Sequence, residues 1–201
     1  MNPIKLSHPS PLRILPITLA ASLLLSACAT HLPQPITGYT CCNLHPDAGW
    51  TSSANMLGGP IVPAGQPVVI DTMKRDRYLY GTMGSDYITL RDDTARGKDD
   101  VLRWTRQIVV PTDPRAALAR WSPEVQKAVY SGKVLVGMTR AQVLMSLSYP
   151  SRNDTKDLSA SAWRYWTIQD DEPVDVRFGA DGLVSGFAGT PSAVRAVEFK
   201  G

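Results

Sequence analysis

The chain has 201 residues, a formal net charge of +3, 43% hydrophobic residues and 19% charged ones. That supply of apolar side chains can fill a buried core and excludes wholesale disorder. Three cysteines are too few for a disulfide-stapled miniprotein. So small and dispersed a charge excludes electrostatic capture of nucleic acid.

The N-terminal region opens with Lys5 and Arg13 and no nearby acidic residue. Residues 14–27 are then almost all apolar or small. This run of about 14 residues falls short of the roughly 20 that a spanning helix needs and fits the apolar region of a signal peptide. It ends in Leu25-Ser26-Ala27-Cys28. The run resembles the bacterial lipobox, in which small residues enter a signal peptidase and the cysteine thiol takes the lipid. The resemblance implies a diacylglycerol thioether on Cys28, removal of residues 1–27, and acylation of the new amino terminus. Each buried methylene adds about 0.8 kcal/mol, so such an anchor holds firmly. Ala29 after the cysteine implies sorting to the outer membrane. Two of the 21 basic residues leave with the signal peptide, which brings the remainder close to neutrality against 18 acidic residues.

Residues 28–38, with Pro33 and Pro35, read as a lipidated cysteine followed by an extended tether. A β-rich module is expected over 39–110. Val68-Val69-Ile70, residues 77–82 and residues 86–90 are rich in Tyr and β-branched side chains, with Gly84-Ser85 as hairpin punctuation. Val101, Trp104, Thr105 and Ile108 share one helical face, with Asp99 or Asp100 as N-cap.

A second unit is expected over 121–199. Ser122-Pro123 starts a helix that Gly132 ends. Thr139 and Gln142 form a capping box for the next helix, which stops before Pro150. Residues 163–168 form an aromatic strand. Val174, Val176 and Phe178 alternate with Asp175 and Arg177, and Asp181-Gly182 turns the chain back. Residues 194–199 are expected to add a strand.

Gly137-Met138-Thr139, Gln142-Val143, Leu147, Pro150, Trp163, Tyr165, Val176-Arg177-Phe178 and Asp181-Gly182-Leu183-Val184 resemble the SmpA/OmlA (BamE-like) outer-membrane lipoprotein family, with Ser148 where the family usually has Gly. The resemblance implies an α+β fold, two helices packed on a small antiparallel sheet as in β-lactamase inhibitor proteins, here following the β-rich module with its one helix. It also implies a protein-binding accessory in envelope assembly, the β-barrel assembly machinery being the implied partner. A periplasmic inhibitor is the alternative, and an envelope hydrolase using His45, Asp47 or Cys41 is a further one.

The sequence lacks the motifs of hydrolases, zinc proteases, nucleotide-binding loops and dithiol oxidoreductases, so no enzyme and no cofactor beyond the lipid is expected. Asp170-Asp171-Glu172 with Asp175 lacks the spacing of a calcium loop and reads as a solvated connection. Adjacent Cys41 and Cys42 can form a vicinal disulfide, pair with another chain, or stay buried. In the aromatic strand, alternation sends Trp163 and Tyr165 to one side and Arg164 and Trp166 to the other. The second pair is the expected binding anchor unless the first half of the chain covers it.

Overall fold

A computed structural model describes residues 29–168 and 171–201. The expected signal peptide and the lipidation site Cys28 lie outside the described residues. In chain order the elements are β1 (Thr30–Thr40), β2 (Trp50–Ser52), β3 (Met56–Leu57), β4 (Pro67–Lys74), β5 (Tyr78–Met83) and β6 (Asp86–Arg91). There follow α1 (Lys98–Ile108), β7 (Val109–Val110), α2 (Arg115–Leu118), α3 (Pro123–Tyr130) and α4 (Arg140–Leu147). The chain ends with β8 (Ala162–Thr167), β9 (Glu172–Phe178), β10 (Val184–Gly189) and α5 (Pro191–Val197).

The strands dominate, and this corrects the expected α+β class of two helices on a small antiparallel sheet. Among the described residues strand accounts for 37% and helix for 22%, in two sheets and five short helices. The larger sheet is a half-barrel of six strands, ordered β2-β6-β5-β4-β1-β7. The smaller has four strands, ordered β10-β9-β8-β3. It is mixed, because β3 joins β8 in parallel, pairing Met56 with Trp166. The physical reason for the miss is local. Strands of two or three residues, such as β2, β3 and β7, are too short to show an alternating pattern.

The segment expected as a tether is β1, paired antiparallel with β4 from Thr30↔Met73 to Tyr39↔Pro67. Pro33 and Pro35 fall in the break in register between His31 and Ile36, where a missing N–H costs the ladder nothing. Residues 194–199 mostly belong to α5 rather than to a strand. Thr190 caps that helix and Pro191 occupies its first turn, a start signal that outweighs the β-branched residues after it. Helix α1 starts at Gly97 with no side-chain cap, and Asp99 and Asp100 lie in its first turn instead of capping it. Ser122 and the Thr139/Gln142 capping box sit at their expected helix starts.

Two cores result. Val68, Ile70, Leu79, Ile88 and Leu90 of the larger sheet pack on Val101, Trp104 and Ile108 of α1. Trp163, Tyr165, Val174 and Val176 of the smaller sheet pack on Val129, Val143 and Leu147 of α3 and α4. Leu57 and Ala64 from the first half of the chain are buried in this second core. Gly81 allows the larger sheet its bulge at Asp71, since a Cβ there would collide with the Val69 carbonyl.

Candidate functional site

Strand β8 alternates as its sequence dictates. Trp163 and Tyr165 are fully buried, Arg164 is exposed and Trp166 is half-buried. Arg164 already has a partner. Its Nε and Nη2 donate to Asp175 Oδ1 and Oδ2 at 2.8 and 2.9 Å, across a directly paired position of β9. Trp166 sits beside β3, which the first half of the chain lays along that edge. Any partner recruiting Arg164 therefore competes with a bidentate carboxylate already in place.

The stretch between β1 and β4 is a strap across the two cores. Cys41 and Cys42 are joined in a vicinal disulfide at its start, with Cys42 buried. A disulfide sulfur carries no proton, so Ser148 Oγ is the donor in its 3.3 Å contact with Cys42 Sγ. Asn43 is fully committed. Its backbone N–H donates to Met145 O, its Nδ2 to Val129 O and Ser146 O, and its Oδ1 accepts from Ala64 N–H. Asn55 Nδ2 donates to Leu147 O and Tyr149 O at 2.7 and 2.8 Å. Helix α4 ends with carbonyls that have no partner inside the helix. Those of Met145, Ser146 and Leu147 are all taken by the strap. Ser148 follows in a left-handed conformation, φ 62°, the position for which glycine is the easier residue. Its carbonyl accepts from the buried Tyr165 hydroxyl, and burial pushes that phenol's pKa up.

His45 lies in the same strap, 7% exposed, and neither ring nitrogen has a hydrogen-bond partner among the described residues. Burial lowers its pKa to about 4 from an ordinary 6.5. The folded state therefore favours neutral imidazole. Its contribution is complete above about pH 6.5 and is lost as the pH falls towards 4, a change of about 3 kcal/mol. Denaturant unfolding at pH 7 and pH 4 is expected to show that loss in the native chain and to lack it in His45→Leu. Equal pH dependence in both proteins refutes it.

Asp92 connects the cores on another side. It is 0% exposed and accepts from Ser53 Oγ, Thr94 N–H, Thr94 Oγ1 and Arg152 Nη2, the last at 2.5 Å. Arg152 comes from the loop after α4 and also donates to Thr94 Oγ1. Beside it Arg96, Lys156, Asn153 and Asp100 line an open cavity of about 540 Å³.

The outer face of the larger sheet carries exposed aromatic side chains. Val69, Thr82 and Tyr87 lie in one row across β4, β5 and β6, and Trp50, Thr89, Tyr80 and Thr72 lie in a second. Tyr87 is 93% exposed, Val69 40% and Trp50 38%. No family model matches the chain, and no curated protein or solved structure matches it either. The chemistry of these groups is thus the guide to what the chain does.

The structure brings Arg164 and Trp166 to one face but ties the first to Asp175. It sets Cys41 and Cys42 into a strap far in sequence from both. Glu172 accepts from Thr190 and Ser192, Asp175 holds Arg164, and Asp170 lies outside the described residues. Among the described residues no group of three or more His, Cys, Asp or Glu is placed to hold a metal ion, and no helix is long and apolar enough to cross a membrane. Sequence reasoning missed Asn43, Asn55, Asp92 and Arg152, which lie in segments without period. It also missed the outer sheet face, although Tyr78-Leu79-Tyr80 showed which side the aromatics take.

Proposed function

We propose that the chain is a lipid-anchored lipoprotein of the outer membrane, facing the periplasm, whose folded body binds a protein of the envelope and performs no catalysis. The observation that carries this reading is Leu25-Ser26-Ala27-Cys28 at the end of a short apolar run that follows Lys5 and Arg13. Among the described residues the first strand, β1, begins at Thr30, which leaves little chain between an anchor on Cys28 and the sheet. The exposed Tyr87, with Val69 in the same row, supports the binding role, because an aromatic side chain on a rigid sheet is an effective anchor for a partner. An anchor confined to the membrane surface raises the local concentration of such a partner without adding contacts. The resemblance carried by residues such as Gly137-Met138-Thr139 makes the β-barrel assembly machinery the first partner to test.

Cys28→Ser is expected to leave an uncleaved precursor that takes up no radioactive fatty acid in metabolic labelling. Label retained in the variant refutes the anchor. Pull-down from solubilised envelope is expected to recover a membrane-assembly subunit. Recovery of a single soluble enzyme instead would replace the accessory role with inhibition.

A further inference from the structure

The geometry points to the β4–β5 turn, Lys74-Arg75-Asp76-Arg77, with Tyr78 and Trp50 behind it, resting on the anionic headgroups of the bilayer that holds Cys28. This rests on the lipid anchor proposed above. The register of the larger sheet places the two features together. Thr30 pairs with Met73, and Lys74 with Tyr78, so the start of β1 and the turn occupy the same end of the sheet. Consecutive Cα atoms are about 3.8 Å apart and paired strands about 5 Å, so Thr30, two residues along the chain from Cys28, lies within about 13 Å of Arg75.

The turn suits a charged surface. Lys74, Arg75 and Arg77 outnumber Asp76, and Arg75, Asp76 and Arg77 are all exposed. Asp76 in the turn and Asp71, farther from it along β4, have no salt-bridge partner among the described residues, while Asp93 is held by Arg91 at 2.7 Å. Arg75 and Asp76 both adopt left-handed backbone, φ 55° and 49°. Glycine or asparagine enters such a turn more easily, so the cation at the tip is kept against local preference. Behind it Trp50 and Tyr78 meet edge to face at 5.5 Å. Amphipathic rings of this kind settle at the headgroup level, and Lys and Arg are drawn to an anionic surface within a Debye length of about 8 Å.

The test uses the full chain purified from membranes and placed in phosphatidylglycerol-rich vesicles that carry a headgroup-linked quencher. A fluorophore is attached at Arg75→Cys and, separately, at Ser85→Cys in the β5–β6 turn, about 20 Å away at the other end of the sheet. The Arg75→Cys label is expected to be quenched and the Ser85→Cys label to stay bright. Adding Lys74→Gln and Arg77→Gln is expected to reduce quenching; at about fivefold per cation, the docked-to-free ratio falls about 25-fold. Pure phosphatidylcholine vesicles are expected to give the same loss. Equal quenching at the two positions overturns the proposal, and so does quenching indifferent to the two glutamines or to the lipid. The mass of the same purified chain reports the diacylglycerol on Cys28. Its absence defeats the anchor alone, while the quenching still decides whether the turn meets the membrane.

Discussion

Trp163→Ala is expected to lower the free energy of unfolding by about 3–5 kcal/mol, the range for truncating a buried large aromatic side chain. The indole is fully buried and meets Phe178 edge to face at 4.8 Å. Its Nε1 donates to Leu158 O at 3.2 Å. The Arg140 guanidinium lies 5.5 Å from its ring and 4.0 Å from that of Phe178. Alanine removes apolar contact, leaves a cavity between the smaller sheet and the helices, and breaks the hydrogen bond to the Leu158 carbonyl. Trp163→Phe keeps most of the ring contact and is expected to cost clearly less. Urea unfolding measures both. A loss below about 1 kcal/mol for alanine would show that the site is not closely packed.

The second large effect is expected at Asp92. Asp92→Ala leaves Ser53 Oγ, Thr94 N–H, Thr94 Oγ1 and Arg152 Nη2 without the acceptor that a fully buried carboxylate supplies. Breaking a buried charge pair by removing one partner costs about 3–5 kcal/mol, because the other charge stays behind unpaired. The Arg152 side chain is 36% exposed and can turn towards water, which favours the lower end. Arg152→Ala and the double variant complete a cycle. The double variant is expected to be more stable than the two single losses predict, by about 0.5–3 kcal/mol. Strict additivity would show that Asp92 acts through Ser53 and Thr94 alone.

These two sites differ in how far the sequence announced them. Trp163 follows from alternation in an aromatic strand, where burial on one side and exposure on the other are written in the period of two. The helix starts at Ser122 and Thr139 were equally legible, because capping is a local hydrogen-bond pattern. Asp92 was not legible. It sits in an irregular stretch, and what makes it important is an arginine 60 residues away. The same holds for β3, whose two residues have no pattern of their own and become a strand only because β8 offers an edge. The prolines of β1 suggested a free tether, yet a neighbouring strand with a bulge accommodates them. The fold class was misjudged because several strands exist by virtue of distant partners. The sequence proposed Arg164 as a binding anchor from its type and face alone, whereas Asp175 opposite it emerges only from strand register.

The strap also sets the order in which the chain can fold. Asn43 and Asn55 leave the ribosome early, but the carbonyls they close at the end of α4 follow 103 and 92 residues later. Contacts so distant in sequence are won only after a long loop has closed, which slows folding. The larger sheet and α1 can pack before α4 arrives, but the strap cannot close until it does. A polypeptide cut short before that helix is left with idle amides in its first half and ready access for proteases.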